Sequence, residues 1–436
     1  MRERDSSPAI RDQGYRISLK ATGARALRDC LPANLFDLCV ATSIRQATRM
    51  LHTDAQLRPT FDKPITEPVE PEASGFGVNR LTLREILLAD LADIVTFGAA
   101  FDRFEQTGDG RVRAWFTDGT SAEADLLVGA DGTNSAVRAQ LIPDAVIDEL
   151  HWAIYGKTPI TDSLLDEVPD ILIDAFARIT GPGGQAVAIA TCRPSEPAQK
   201  AAARLAPGLQ LTDVPGYFQW ITPLTDTGLR TADAAALHRH AGHQVQDMHP
   251  AVRRIIAQAD VGATFPVRVT SARPVDPWHH RVSNVTLLGD AVHTMSPGRG
   301  DGANFALHDA AVLRELLARA AAGQVSLAEA VAQYQTRMLR YGFAAVAASL
   351  HSPFGPSPDM PAALSGWHEF AATHAAGDIV DATVTGALPI GAFVHITDGV
   401  DGILIGATPA PGTRLAVRIK ELDRDKRRVS VIAEEP

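Results

Sequence analysis

Two passages about 160 residues apart constrain this chain more than any other feature. The first is Leu126–Arg138, which reads Leu-Leu-Val-Gly-Ala-Asp131-Gly132-Thr-Asn-Ser135-Ala-Val-Arg138. The second is Leu287–Leu313, where Leu-Leu-Gly289-Asp290-Ala-Val-His293 leads through Pro297 and Gly300-Asp-Gly302-Ala303-Asn304 to Asp309-Ala-Ala-Val-Leu. Leu126–Ala130 is a short apolar run ending in small residues, the composition of a buried strand in a parallel sheet. Asp131-Gly132 then turns the chain, and glycine lets the backbone come close to a ligand. Leu287-Leu288 predicts a second such strand, ending at Gly289-Asp290. A carboxylate at a strand's carboxyl end accepts hydrogen bonds from ligand hydroxyls. The glycine-rich loop Gly298–Gly302 opens a helix predicted from about Ala303 to Ala321, with apolar Phe305, Leu307, Ala311, Leu313 and Leu317. A helix start of this kind presents N–H groups and a positive dipole end to an electron-rich ligand edge. Either passage alone reads as an ordinary strand, turn and helix. The pair, in this order, reads as one binding site.

The length of 436 residues allows two or three domains with a large core. A net charge of −10 argues against a nucleic-acid surface spanning the whole protein. Cys30, Cys39 and Cys192 are unpatterned, which suits a reducing compartment and no metal cage. No apolar run approaches the length of a membrane span and no signal peptide is visible, so a soluble cytoplasmic protein is expected.

Residues 1–142 read as the first part of a ligand-binding α/β domain. Asn79–Leu91 has helical periodicity, and Phe97–Thr120 alternates like strands with turns at Gly108-Asp-Gly110 and Asp118-Gly119. Residues 143–284 read as an inserted β-sheet substrate domain, with strands such as Ala186–Thr191 and Tyr217–Ile221 and a helix near Asp247–Ala259. Residues 285–350 return to the first domain and add a helical tail. Residues 351–376, with Pro353, Pro356, Pro358 and Pro361, read as a linker. His238, His240, His243 and His249 cluster without metal spacing and read as a solvated polar segment. Gly181-Pro-Gly183-Gly-Gln-Ala186 imitates a phosphate-binding turn, but strand-like residues follow it, so it reads as a hairpin.

Residues 377–436 form a second pattern. Short alternating stretches within Gly377–Val384, Ile390–Val394, Gly399–Ile405, Gly412–Ile419 and Asp423–Val431, with Gly and Asp turns between them, predict a small β-barrel. Their order and spacing resemble the ribosomal S-one type RNA-binding domain, an OB-fold. That resemblance assigns Phe393 and Arg428 as nucleic-acid contacts. Ile390 and Ile405 stand where such domains carry an aromatic and a His, and the charge is mixed, so weak single-stranded RNA binding and a protein contact stay open together.

The paired passages resemble the second and third flavin motifs of the class A FAD-dependent monooxygenases, which include para-hydroxybenzoate hydroxylase and the tetracycline-inactivating enzymes. The resemblance implies FAD, NAD(P)H and hydroxylation of a small, aromatic or polyketide-like substrate. It assigns Asp290 to the ribityl chain, Asp131 and Gly132 to the pyrophosphate region, and Gly302, Ala303 and Asn304 to the pyrimidine edge. Gly289 and Gly300 shape these turns, and Pro297 borders the reacting face. Glu3 matches the acid that binds the adenosine ribose, while Arg4, Arg11 and Arg84 match flavin- or nicotinamide-contacting arginines. Ser18 stands where some relatives carry Asp. The family's first motif, a G-x-G-x-x-G turn about 20 residues before that acid, is absent from the sequence, so the expected fold is a Rossmann-like domain lacking its first βα unit. The flavin carries the chemistry, so no side-chain acid or base is assigned. The substrate is expected between flavin and middle-domain sheet, near Phe218 and Trp220, although those two aromatics read equally as plain core. The alternatives are a truncated, non-catalytic binding protein and a chain whose working part is the OB-fold.

Overall fold

The computed structural model describes residues 1–7, 15–65, 75–350, 370, 373–388, 391–397, 400–423 and 428–434. The chain divides into two compact units, Met1–Leu350 and His351–Pro436.

In the first unit the two predicted strands pair. Leu127–Gly129 lies parallel to Val285–Leu287, with Gly129 opposite Leu287. A side chain at 129 would have no room, since a Cβ there would stand 2.8 Å from Val137 and 2.9 Å from Leu287. Val285 and Leu287 enter a core with Val137, Trp278, Leu316 and Tyr334. Two long helices close it, Gly302–Ala321 and Leu327–Ser349. Ser326 and Glu329 start the second with a reciprocal capping box. Beside this core runs the antiparallel meander Phe101–Gln106, Val112–Phe116 and Ser121–Ala124, with Gly110 and Gly119 at positive φ in its turns, as the glycine-aspartate pattern predicts.

The middle of the chain forms a seven-stranded sheet. Its order is Phe265–Ala272, Ile147–Pro159, Tyr217–Pro223, Ala186–Cys192, Ala175–Thr180, Arg49–Asp54 and Pro59–Pro64. The strand Arg49–Asp54 pairs parallel with Ala175–Thr180, and every other neighbour is antiparallel. The Gly181–Gln185 segment is a hairpin turn, closed by the Gly181 N–H donating to the Gln185 carbonyl at 2.7 Å. One face of the sheet buries Ile154, Ile179, Ile189, Phe218 and Trp220. Gly156 leaves room for the Trp220 ring, whose Nε1 donates to Thr158 Oγ1 at 3.2 Å. By the period of two, Tyr155, Phe176, Ala190 and Gln219 line the opposite face, which is only half-buried.

A short antiparallel pair, Arg16–Leu19 with Phe76–Asn79, connects this half-buried face to the glycine loop. Ile17 and Leu19 pack toward a third core with Leu27, Leu38 and Ile86. The Arg16 backbone N–H donates to Gln219 Oε1 at 3.4 Å, and the Ser18 carbonyl accepts from Asn304 at 2.9 Å.

The second unit is a closed barrel. Its strands follow the order Ile379–Leu388, Gly391–Thr397, Val400–Ile405, Arg428–Ala433, Arg414–Asp423, and the last returns to the first. Ala382, Val394, Leu404, Val417 and Val431 fill it, and Phe370 joins the same buried cluster. The three cysteines carry no disulfide, and Cys39 and Cys192 are buried. No helix among the described residues is long and apolar enough to cross a membrane.

Candidate functional site

The carboxyl ends of the two parallel strands bring the two sequence passages together. The Leu288 N–H donates to the Gly129 carbonyl at 2.9 Å, continuing the pairing past the strands. Beyond it, Thr133 and Thr294 meet through their hydroxyls at 2.9 Å, and Arg138 donates to the Thr133 and Ala291 carbonyls at 2.7 and 2.8 Å. Asp131 Oδ2 accepts from the Ala136 and Val137 N–H groups at 2.7 and 3.2 Å, which starts the helix Ala136–Leu141. Asp131 Oδ1 is buried and has no hydrogen-bond partner. A buried carboxylate oxygen of this kind is costly unless a donor reaches it. Gly132, at φ +79°, faces open space.

On the second strand Gly289 takes φ +62°, and a Cβ there would stand 2.9 Å from that of Ala306. Asp290 follows. Its side chain is reachable by solvent, yet protein surrounds it on enough sides that desolvation raises its pKa, against the opposing fields of His293 and Arg80. Gly302 stands over this side chain, with the position of a Cβ 3.8 Å from Asp290 Oδ1. Pro297–Arg299 forms a single 3-10 turn, and Gly300 at φ +68° redirects the chain into the long helix. Asp301 is fixed by Lys20 at 2.5 Å.

Asn304 is almost fully buried and its side chain is committed. Nδ2 donates to the Ser18 and Gly300 carbonyls at 2.9 and 2.8 Å, and Oδ1 accepts from the Lys20 N–H at 2.7 Å. Gly23 permits this approach, because a Cβ there would collide with Asn304 Oδ1. Any ligand contact at this turn therefore falls to the backbone N–H groups of Gly302, Ala303 and Asn304, which precede the first intrahelical donor, Phe305.

Behind the loop lies a network, centred on His293 and Asp309 and reaching Tyr341 beyond the two passages, that sequence reasoning left without a role. His293 Nε2 meets Asp309 Oδ2 at 2.8 Å, the Gly289 N–H donates to the same oxygen at 2.8 Å, and the Tyr341 hydroxyl donates to Asp309 Oδ1 at 2.6 Å. Burial opposes charge on His293, but the hydrogen bond to Asp309 and its field outweigh burial and raise the imidazole pKa. Arg80 is the other missed residue, since its place at a helix start gives no sign that its field reaches Asp290.

The remaining assigned residues divide. Glu3 and Arg84 come together at 3.6 Å, and Arg84 also pairs with Asp5 at 3.2 Å. Arg4 is exposed, and Arg11 lies outside the described residues. Phe218 and Trp220 are fully buried in the core behind the sheet, which is the core reading of these two aromatics, and strand alternation turns Tyr155 and Gln219 toward the half-buried face. The histidine cluster serves local ties, with His238 bonded to the Ile256 carbonyl and His249 capping Pro250–Ala257. In the barrel Phe393 is 47% exposed, beside Ile403 and Ile405. Arg428 lies on its strand, its side chain outside the described set, and Ile390 and the linker prolines are also outside.

Residues 234–349 match the FAD binding domain family. The chain is 33% identical over 361 residues to the dual O-methyltransferase/FAD-dependent monooxygenase elcB of Phaeosphaeria nodorum, covering 73% of this chain and 38% of that protein. It is 28% identical over 356 residues to the 3-amino-4-hydroxybenzoate 2-monooxygenase of Streptomyces cremeus, covering 77% and 76%. The chain thus spans about two fifths of elcB and of CTB3 from Cercospora beticola. A solved putative FAD containing monooxygenase from Photorhabdus luminescens superposes with a TM-score of 0.68 at 27% identity, covering 80% of this chain and 89% of that one. Klebsiella pneumoniae HpxO complexed with FAD and uric acid shares the fold, with a TM-score of 0.61 at 24% identity over 77% of each chain. Residues 234–349 thus carry an FAD binding domain match, and in the fold of its first unit the chain is similar to FAD-dependent monooxygenases.

Proposed function

We propose that the chain is an FAD-dependent monooxygenase that takes electrons from NAD(P)H and hydroxylates a small aromatic or polyketide-like substrate. The observation that carries this reading is the convergence of Asp131 and Asp290 at the ends of two adjacent parallel strands, with the amino end of a 20-residue helix over Asp290. The donor set fits the cofactor. Asp131 Oδ1 lacks a donor, Asp290 is a solvent-accessible acceptor beside Gly302, and the first helical turn offers N–H groups. In this reading Asp290 accepts from the ribityl hydroxyls and Asp131 from a donor near the pyrophosphate. The N–H groups of Gly302, Ala303 and Asn304 hold the pyrimidine edge, where the helix dipole favours negative charge. Pro297 borders the reacting face. Glu3, oriented by Arg84, accepts from the adenosine ribose. Bound FAD supplies the redox chemistry, passing electrons from the nicotinamide to oxygen. The half-buried sheet face holds the substrate away from bulk water.

For the second unit we propose an OB-fold, which the closed five-strand order supports. Aliphatic Ile403, Ile405 and Ile432 are the large exposed neighbours of Phe393, and this favours a protein contact over stacking on single-stranded RNA.

The test is reductive. Under anaerobic conditions, NADPH or NADH should bleach FAD bound to the protein, and readmitted air should restore the oxidised spectrum. A protein that binds FAD but is reduced by neither nucleotide contradicts the monooxygenase reading.

A further inference from the structure

Arg16 is a cation enclosed by protein without an ion-pair partner among the described residues. Its strand alternates, so Ile17 and Leu19 pack toward the core and Arg16 turns to the half-buried face of the seven-stranded sheet. One side of the guanidinium stacks on Phe176, with Cζ 4.2 Å from the ring centroid. The group also lies close to Gly77, where a Cβ would come within 3.2–3.3 Å of Nη2, Cζ and Nε. Ring and glycine together confine it. Nη1 donates to the Thr191 carbonyl at 3.3 Å, while Nε is buried with no hydrogen-bond partner.

The surroundings do not cancel its charge. Asp174, the carboxylate whose field Arg16 feels, is already gripped by Arg193 through both oxygens. The other polar neighbours are the Cys192 thiol and the Tyr217 hydroxyl. Burial pushes the thiol up to about 11 and the phenol well above its usual value, so both are neutral near pH 7. Burial also lowers the Arg16 pKa, yet a guanidinium stays protonated in proteins. A buried charge left in this condition is costly, and a fork of guanidinium N–H groups matches a planar oxyanion.

The position gives that charge a use. Cys192 and Tyr217 form one paired row across two strands and are buried, whereas the next row, Phe176, Ala190 and Gln219, is half-buried. Arg16 sits where the covered end of the sheet face meets its accessible floor. We propose that Arg16 anchors an oxyanion carried by the substrate's planar ring system, a carboxylate or an ionised phenol, with the ring lying along the Phe176–Gln219 floor. This rests on the monooxygenase reading for the word substrate. The anion site itself rests on the geometry of Arg16.

Calorimetric titration of the full chain with matched probes tests it. The pairs are 2-naphthoate with 2-naphthamide, and 4-nitrophenolate with 4-nitroanisole at a pH that ionises the phenol. At least one anion should bind ten-fold or more tightly than its neutral partner, and which one does so identifies the oxyanion. Arg16→Gln should abolish the preference, Arg16→Lys should restore part of it, and Arg16→Gln should melt no lower than the parent because it removes an unpaired buried charge. Anions binding no better than their neutral partners, or a preference that survives Arg16→Gln, overturns the proposal. An Arg16→Gln protein that melts lower while keeping the anion preference assigns Arg16 to structure alone and also overturns it. FAD titration of the same samples separates the two readings. Loss of the anion preference with FAD binding intact supports the anion site, whereas a parent chain that binds no FAD but prefers anions through Arg16 sinks only the monooxygenase reading.

Discussion

His293 and Asp309 form a fully buried pair, Nε2 to Oδ2 at 2.8 Å, and Asp309 also takes the N–H of Gly289, the residue before Asp290. One carboxylate therefore fixes both ends of the turn that presents Asp290. Removing it leaves an imidazole, an amide and the Tyr341 hydroxyl without their acceptor. Asp309→Ala should destabilise the first unit by about 3–5 kcal/mol, the range for breaking a buried ion pair from one side. Urea unfolding followed by tryptophan fluorescence measures it, and a loss below about 1 kcal/mol would show that the pair is dispensable.

The same pair sets a pH dependence. The folded-state pKa of His293 lies above its unfolded value of about 6.5, so the folded state binds the proton more tightly. The stabilisation is fully present below the unfolded value and is lost as pH rises through the folded one. The urea midpoint should therefore fall as pH is raised from about 6 toward 9, and His293→Gln should flatten that slope. An unchanged slope in the variant removes His293 from the account.

Two helical glycines should respond oppositely to alanine. In an open helix position glycine is worse than alanine by about 1 kcal/mol. Gly242 has nothing within 4 Å of a Cβ position, so Gly242→Ala should be neutral or stabilising. At Gly342 a Cβ would stand 2.6 Å from the ring of buried His293, so Gly342→Ala should cost about 1–3 kcal/mol despite better helix propensity. Thermal melts of the two variants compare them directly.

The barrel depends on a residue outside its strands. Phe370 is 4% exposed within the barrel core and stacks on His374 at 4.3 Å. Phe370→Ala should cost the second unit about 3 kcal/mol, as for other buried Phe truncations. A barrel whose melting is unaffected would place Phe370 elsewhere.

Much of this architecture is legible because local chemistry specifies it. Gly110, Gly119 and Gly184 turn hairpins by adopting positive φ, and glycine-aspartate pairs mark the two ligand strands. Pairing across long sequence separations is not legible in the same way. Arg49–Asp54 mixes polar and apolar residues, and its parallel partner Ala175–Thr180 lies more than 100 residues away. Nothing local announces that it joins the central sheet. Phe218 and Trp220 read equally as core or pocket because alternation gives two faces without saying which is covered. Arg16 carries no local sign of its surroundings: that Phe176 and Gly77 lie against its guanidinium follows only from the fold. Asn304 is legible as part of the turn, but its commitment to Ser18 and Lys20 depends on a strand nearly 300 residues earlier.

FAD titration of the parent protein and of Asp290→Ala, followed by quenching of flavin fluorescence, tests the central claim most directly. Desolvation already opposes the Asp290 charge in the folded protein, so its removal should leave the melting temperature unchanged or higher. The account predicts saturable binding of one FAD per parent chain and at least ten-fold weaker binding by the variant, about 1.4 kcal/mol or more. Equal affinity in the two proteins, or no saturable binding by the parent, would contradict it.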